Sequence, residues 1–166
     1  MARGLGETTI TVSILDRLID LDPDNRLENP LSRTQSVRLL KSAVRRDLEW
    51  LLNTRRIVDL PDEGLKEVNR SVYVYGLPDL STIAVAASGD RNRLVRHIAS
   101  TVTLFEPRLA NVRVALVEEP DSARKDVRLR IDAMLRMDPV PEPITFDTVI
   151  ELKSGNCRVA GGDDAR

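Results

Sequence analysis

The residues best placed to do chemistry are the consecutive Glu106, Pro107 and Arg108, which lie where a helical pattern ends and a strand pattern begins. A proline disfavours the α region for the residue before it, so Glu106 is predicted to be the first non-helical residue. A helix C-terminus carries partial negative charge, which suits Arg108 but repels the Glu106 carboxylate by roughly a few tenths of a kcal/mol. An acidic residue that local electrostatics disfavours is a candidate for function.

One chemical role for Glu106 is as one of the two carboxylates of a glycoside hydrolase. That mechanism needs a carboxylic acid that keeps its proton, normally in an apolar pocket. Arg108 lies two residues away across a rigid proline and favours the ionised carboxylate, which opposes this role. The pattern therefore favours a charged pair used for binding, and the alternative is a local ion pair that contributes about 0 to 1 kcal/mol to the fold.

The other reactive residue types form no recognisable site in the sequence. His97, the only histidine, falls far from the centre of its helix's apolar face and is predicted to be a solvated surface residue. Cys157 is the only cysteine, which excludes an intrachain disulfide and fits a reducing cytoplasm. The run "GLG" at residues 4–6 follows no strand, and the acidic groups "DLDPDN" and "GGDD" lack the spacing of a calcium loop. We therefore expect no catalytic residue, cofactor or metal.

The composition is that of an ordinary soluble globular protein. Of the 166 residues, 42% are hydrophobic and 31% are charged, and the formal net charge is −1. A nearly neutral chain gives little electrostatic reason to expect binding to nucleic acid or to an anionic membrane. The sequence shows no uninterrupted apolar signal region and no run of about 18 apolar residues, so we expect a protein that stays in the cell and in solution.

Three segments have helical periodicity. The first, "SILDRLIDL", begins after a candidate cap at Ser13. The longest covers about residues 34–54, with Ser32 and Gln35 as a capping box at its start. The third runs over about residues 90–105 and ends at the proline already described.

The longest helix is predicted to bury one face. Its continuous apolar stripe consists of Val37, Leu40, Val44, Leu48 and Leu51. A narrower stripe on its flank consists of Leu39, Ala43 and Trp50. This second stripe indicates either a helix buried on two sides by its own domain or a partner-facing patch around the lone tryptophan. Two arginine pairs are interpreted as a solvated helix surface: Arg45 and Arg46, and Arg55 and Arg56.

Alternating apolar residues predict three strands after the third helix. Their inward positions begin at Val112, Val127 and Ile144 and continue to Leu116, Met137 and Leu152, respectively. The proline-rich "DPVPEP" separates the second strand from the third, "SGN" forms a turn, and "CRV" suggests a short return strand. The earlier run "SVYVYGLPDLS" is also predicted to be a short strand or extended segment.

The order of elements predicts an α+β fold, in which N-terminal helices pack on a small C-terminal antiparallel sheet of about three strands. We expect a single domain over residues 10–159. Residues 1–9 and 160–166 are small, polar or glycine-rich and are expected to be disordered tails.

These segments together resemble the contractile-tail baseplate wedge family. That family comprises the phage sheath-initiator proteins historically labelled lysozyme-like and the type VI secretion baseplate subunits of the TssE type. The similar segments are "SILDRLIDL", "SVRLLKSAVRRDLEWLLNTRR", "VYGLPDL", "FEPRL" and the strand pair that follows. They span about residues 12–152, and "NTRR" and "YGLPDL" favour the secretion branch.

The resemblance implies a structural subunit that is not an enzyme and binds no cofactor. In the family, the motif matched here by Glu106, Pro107 and Arg108 docks on the helical core bundle of the wedge. In secretion systems that bundle is formed by TssF and TssG, and TssK is a further baseplate partner. The expected location is cytoplasmic, at a baseplate docked on the inner membrane, with no nucleic acid bound and no direct membrane insertion.

The resemblance also implies that the C-terminal strands start sheath assembly by pairing with the first ring of TssB and TssC subunits. The region is about residues 127–153, and the expected contacts in the last strand are Ile144, Phe146, Thr148, Ile150 and Leu152. An open sheet edge is normally a hazard, but it can serve as a template for an added strand. The proline link before Ile144 fits a strand positioned for exchange and equally fits a plain meander.

Two other functions remain open on sequence alone. A lysozyme-like peptidoglycan hydrolase associated with a phage-type tail is the enzymatic alternative. A general adaptor unrelated to contractile tails is the other.

Overall fold

The computed structural model describes residues 13–19, 32–79, 88–117, 126–151 and 154–162. Three α-helices come first: α1 (Ile14–Leu18), α2 (Arg33–Asn53) and α3 (Ser88–Phe105). Four strands follow: β1 (Leu109–Leu116), β2 (Asp126–Leu135), β3 (Glu142–Glu151) and β4 (Cys157–Gly161). The strands form one antiparallel sheet in the order β1-β2-β3-β4. The predicted α+β class is confirmed, and the short return strand brings the sheet to four strands.

Helix α2 begins where the sequence places its cap. The Gln35 backbone N–H donates to Ser32 Oγ at 3.3 Å, and the Ser32 backbone N–H donates to Gln35 Oε1 at 2.9 Å. This reciprocal pair satisfies backbone donors that have no partner inside the helix. The helix then extends over 21 residues to Asn53.

The core lies between the helices and one face of the sheet. From the predicted stripe of α2, Leu40, Val44, Leu48 and Leu51 are buried, while Val37 is only partly buried. Side chains of β2 and β3 alternate between buried and partly exposed positions, as a strand with one covered face requires. The fully buried members from α3 and the sheet include Leu94, Ile98, Val102, Ile131, Leu135, Phe146 and Ile150.

Of the predicted short strand or extended segment in "SVYVYGLPDLS", the first half is wrong, whereas Tyr75 is extended and Leu77 forms a single bridge. A 3-10 turn, Val68–Arg70, precedes this segment, and its described part begins with a second one, Val72–Val74. Its only bridge among the described residues pairs Arg55 with Leu77. Ser71 caps the second turn, because its Oγ accepts the Tyr73 backbone N–H at 3.2 Å. The alternating tyrosines and valines suit a sheet surface, but in the part of the chain that the structure describes no strand pairs with them.

Gly76 closes the loop between α2 and α3 in a conformation that only glycine tolerates well. Its φ is +105°, and a Cβ added there would lie 2.3 Å from the Thr54 carbonyl oxygen. Gly76→Ala should therefore lower the free energy of unfolding by more than about 2 kcal/mol, as measured by urea denaturation. Gly89→Ala is the control, because a Cβ there meets nothing within 4 Å. An equal change for both variants would contradict this account of the loop.

Strand β4 extends two residues past Val159, where the sequence analysis ends the domain, because Ala160 and Gly161 belong to it. Asn53, at the end of α2, is hydrogen-bonded to the first residue of β4. The Asn53 amide donates to the Cys157 carbonyl oxygen and accepts the Cys157 backbone N–H, both at 2.8 Å. Burial, with a contribution from the charge of Glu49, raises the pKa of the Cys157 thiol to about 12, which makes it a poor nucleophile.

Candidate functional site

An open cleft of about 480 Å³ lies beside the Glu-Pro-Arg run. It is bordered by α1, α2, the loop before α3 and the corner between α3 and β1. Its lining residues are Ser13, Leu15, Arg46, Asp47, Trp50, Leu51, Tyr75, Phe105, Glu106, Pro107 and Arg108. Most of the named apolar side chains come from α2 and the aromatic pair, while the charged groups come from α2 and the corner.

Glu106 is the first residue after α3, as predicted, and its backbone N–H still donates to the Val102 carbonyl oxygen at 2.9 Å. Its side chain is 5% exposed. Glu106 Oε1 accepts the Arg108 side-chain Nε–H at 2.6 Å and the Arg108 backbone N–H at 3.2 Å, and Oε2 contacts Arg108 Nη2. The proline turn thus folds the arginine back onto the carboxylate in a two-pronged ion pair.

A second carboxylate completes the pairing of Arg108. Asp47 Oδ2, from α2, accepts a hydrogen bond from Arg108 Nη2 at 2.6 Å. Burial tends to lower the pKa of Arg108, but the hydrogen bonds and charges of Glu106 and Asp47 outweigh it and raise that pKa above its ordinary value. Arg108 is therefore a permanent cation held between two acids.

The charge pairing continues to α1 through Arg46. Arg46 Nε and Nη2 donate to Asp47 Oδ1 at 3.0 and 2.9 Å, and Arg46 Nη1 donates to Asp16 Oδ1 at 2.6 Å. Burial raises the pKa of Asp16, but the hydrogen bonds from Arg46 and Ser13 outweigh it and leave that pKa below its ordinary value. The interpretation of Arg46 as a solvated residue is wrong, because it is partly buried and lies 5.0 Å from the Trp50 ring centroid.

The cleft also presents exposed apolar groups. Trp50 is 53% exposed and Leu15 is 49% exposed, while Pro107 is exposed at the rim. Tyr75 and Phe105 meet edge to face with centroids 5.1 Å apart and form the floor. A tryptophan this exposed beside an apolar floor is typical of a surface that another molecule covers.

The flanking stripe of α2 is divided between core and surface. Ala43 is buried, but Leu39 is 39% exposed and Trp50 lies at the cleft. Burial of the whole stripe by its own domain is therefore wrong. Trp50, at the exposed end of the stripe, can therefore contact another protein.

The Glu106 carboxylate makes its contacts within its own chain. We expected the acid and the arginine to be presented together to another chain, but the acid points inward and both of its oxygens contact Arg108. The local ion pair is what the structure contains, although its arginine is only partly exposed. Asp47 is the second acid of the cluster, and Arg108 lies between the two carboxylates.

His97 lies on the outward side of α3 and does not line the cleft. It is partly buried, whereas we predicted a solvated residue. Burial, followed by the positive charges of Arg56, Arg93 and Arg96, lowers the pKa of His97. Within the described ranges no three histidine, cysteine or acidic side chains come together as metal ligands.

The residues predicted to meet the sheath are not at an open edge. β3 pairs with β2 along its whole length on one side and with β4 from Phe146 to Ile150 on the other. Ile144, Phe146, Thr148 and Ile150 point into the core and are at most 5% exposed, and Leu152 lies outside the described residues. β3 is therefore an interior strand, and the outer strands of the described sheet are β1 and β4.

Asp47, the charged partner of Arg108 on α2, was missed by sequence reasoning. Asp47 lies three residues after Val44 and four before Leu51, so it falls at the border of the apolar stripe. A charged residue at such a position, next to Arg46, was the available signal.

One known protein family matches the part of the chain that contains the helices, the corner and the first strands of the sheet. The family model of baseplate wedge protein gp25 matches residues 38–140, which include most of α2, the Glu-Pro-Arg corner, β1 and β2. The chain belongs to the baseplate wedge protein gp25 family. It therefore has a structural role in a baseplate of the phage contractile-tail type, and the resemblance read from its sequence is confirmed.

No curated protein and no solved structure matches the chain. Among the described residues, no helix is both long enough and apolar enough to cross a bilayer.

Proposed function

We propose that this chain is a type VI secretion subunit of the TssE type, which links the core of the baseplate wedge to the first sheath ring and starts sheath assembly. The observation that carries the proposal is the ion-paired corner of Glu106, Pro107 and Arg108 at the rim of an apolar cleft with an exposed tryptophan. The family membership and the secretion-like segments "NTRR" and "YGLPDL" support it.

In this proposal Glu106 positions Arg108 and does not itself meet the partner. With Nε and Nη2 held by Glu106 and Asp47, Arg108 keeps Nη1 at the rim without a hydrogen bond to any described residue. A fixed guanidinium loses little side-chain entropy when it binds, so a carbonyl or carboxylate of the partner gains a charge-assisted hydrogen bond at low cost. Pro107 adds a rigid, exposed contact beside it.

The partner of this cleft is proposed to be the helical core bundle formed by TssF and TssG, with TssK in the same baseplate. A helix of such a bundle has an apolar side that can cover Trp50 and the edge-to-face pair of Tyr75 and Phe105. The complex would lie in the cytoplasm at a baseplate docked on the inner membrane. Neither membrane insertion nor nucleic-acid binding is part of the proposal.

A structural role fits the charged cluster better than hydrolysis does. A general acid must carry a proton that it transfers to the leaving group. Both oxygens of Glu106 accept from Arg108, and Asp47 is paired with two arginines. We therefore propose a non-enzymatic subunit, and turnover of purified peptidoglycan that disappears in Glu106→Gln would favour the hydrolase.

The sheath contact is proposed at the outer edge of β1, through a strand added by the first TssB–TssC ring. The backbone groups of Val114 and Leu116 face away from β2, because Ala115 lies opposite Arg130 and Val117 N–H donates to the Arg128 carbonyl oxygen at 2.9 Å. β1 is eight residues long, whereas the outer strand β4 has five and is partly closed by Asn53.

Docking at the cleft is tested with Trp50→Ala. We expect binding to a purified TssF–TssG complex to weaken at least tenfold, because the variant removes an exposed aromatic anchor. Isothermal titration calorimetry measures the affinity. Leu39→Ala is the matched control, since Leu39 is also exposed on α2 but does not line the cleft. Equal affinity of the Trp50 variant and the wild type would refute docking at this cleft.

A further inference from the structure

A β-bulge divides the outer strand β1 into two parts. The register of β1 against β2 shifts between Ala110 and Arg113, and Asn111 within that interval has a φ of +54°. A bulge bends its strand and interrupts regular pairing, and a bulged edge accepts a further strand less readily than a regular one. The regular part of this edge is therefore the second half of β1, from Arg113 to Leu116.

The side chains of this second half alternate between the two faces of the sheet. Val114 and Leu116 pack against the hydrophobic core, whereas Arg113 and Ala115 are exposed on the opposite face. Val114 and Leu116 are only partly buried, although the residues opposite them on β2 are buried. The core is thus less well covered at the outer strand β1 than at β2.

Arg113 is the charged residue of this edge. It lies opposite Asp132 of β2, but the Asp132 side chain accepts a hydrogen bond at Oδ1 from Thr145 Oγ1 at 2.7 Å. No carboxylate of the described residues lies within ion-pair distance of Arg113. The exposed guanidinium is therefore a cation that no described acid neutralises.

The other outer strand differs in this respect. Arg158 of β4 lies on the same face of the sheet as Arg113, and its Nη2 is 3.7 Å from Glu151 Oε1. In addition, Asn53 occupies the outward backbone groups of Cys157 at the start of β4. Open backbone groups and an unneutralised arginine thus occur together at β1 and not at β4, within the described sheet.

We propose that the strand added at β1 is one in which acidic and apolar residues alternate, and that Arg113 selects it. This inference rests on the sheath contact proposed above and specifies its chemistry. Residues directly opposite each other on neighbouring strands point to the same face, with Cβ atoms about 4.5 to 5.5 Å apart. An acid opposite Arg113 therefore forms an ion pair, and apolar residues opposite Val114 and Leu116 extend the core.

The backbone pattern of β1 strengthens the selection by Arg113. Val114 and Leu116 direct their N–H and carbonyl groups outwards, so Arg113 and Ala115 occupy the positions without hydrogen bonds on that side. In an antiparallel pair the Cα atoms at such positions are about 4.5 Å apart, compared with about 5.5 Å at hydrogen-bonded positions. An opposite charge is thus held close to Arg113, and a like charge there is repelled.

The test uses two capped seven-residue peptides, in which valine alternates with glutamate in one and with lysine in the other. Each peptide is titrated into the full chain and followed by NMR. We expect the glutamate peptide to protect the outward amide protons of Val114 and Leu116 from exchange, and to bind with a Kd at least fivefold lower than that of the lysine peptide. Arg113→Glu should reverse this order of affinities.

Arg158→Glu is the matched control, because it makes the same change of charge at an exposed arginine of the other outer strand. It should leave the ratio of the two Kd values within twofold of the wild-type ratio. Equal Kd values for the two peptides, an equal loss of preference in both variants, or protection of the Val159 amide in place of Val114 would overturn the proposal.

Sheath assembly distinguishes this inference from the proposed sheath contact. Selective binding of the glutamate peptide at β1, combined with sheath growth that Val114→Pro leaves unchanged, would support the strand preference and contradict the sheath contact. Sheath growth that stops with Val114→Pro, combined with equal binding of the two peptides, would support the sheath contact and overturn the selecting role of Arg113.

Discussion

Sheath polymerisation should fail when Val114 is replaced by proline, while the fold of the chain and its binding to the wedge persist. The Val114 backbone N–H points away from β2, so proline removes a donor at the open edge and leaves the β1–β2 hydrogen bonds in place. An incoming strand loses one hydrogen bond and meets the proline ring, which together block pairing. Sheath assembly by TssB–TssC on reconstituted baseplates, viewed by electron microscopy, measures the effect.

The same substitution on the other outer strand is the control. Val159 of β4 also directs its backbone N–H outwards, because Asn156 and Gly162 form the bonds to β3. Val159→Pro should therefore allow sheath growth if β1 is the template. Sheath growth with Val114→Pro but not with Val159→Pro would indicate that β4 is the template strand. Sheath growth with both variants would contradict strand addition to this sheet. Circular dichroism of each variant checks that the sheet remains folded.

Glu106→Gln should lower the free energy of unfolding by about 2 kcal/mol, although it changes only one charge. Glutamine keeps the shape of the side chain but leaves the partly buried Arg108 with Asp47 as its only anion. Removing one partner of a fully buried pair costs about 3 to 5 kcal/mol, and the remaining partner and the 26% exposure of Arg108 reduce that figure here. Urea denaturation followed by circular dichroism gives the value.

A surface ion pair provides the comparison for Glu106. Asp147 and Arg130 are 3.4 Å apart, with side chains that are 64% and 52% exposed. Asp147→Asn should therefore change stability by less than about 0.5 kcal/mol. If Glu106→Gln lowered the free energy of unfolding no more than Asp147→Asn does, the conformation of the corner would be due to Pro107 alone. Glu106 would then have no role in positioning Arg108.

The features of this fold that the sequence predicts correctly depend on residues close together in the chain. The capping box of Ser32 and Gln35 involves residues three apart, and the end of α3 follows from Pro107. The alternation of buried residues in β2 and β3 is likewise predicted by the alternating apolar residues of each strand's own sequence. Such features need no knowledge of how distant segments meet.

The features that were missed depend on contacts between distant segments. Asp47 meets Arg108 across 61 residues of sequence, and neither residue type nor spacing reveals that contact. The tyrosine-valine run has strand propensity, but no strand among the described residues pairs with Val72–Val74, which form 3-10 structure. Likewise, β3 is an interior strand only because the five residues of β4 pair with its free side.

The amide of Asn53 gives the sheet two unlike margins. It occupies the outward N–H and carbonyl of Cys157 as another β-strand would, whereas no described residue pairs with the outward groups of Val114. In the proposed assembly, a strand added at β1 takes its direction from β1, and Asn53 hinders the same addition at the start of β4. The polarity of the proposed polymer would then be set by the subunit that starts it.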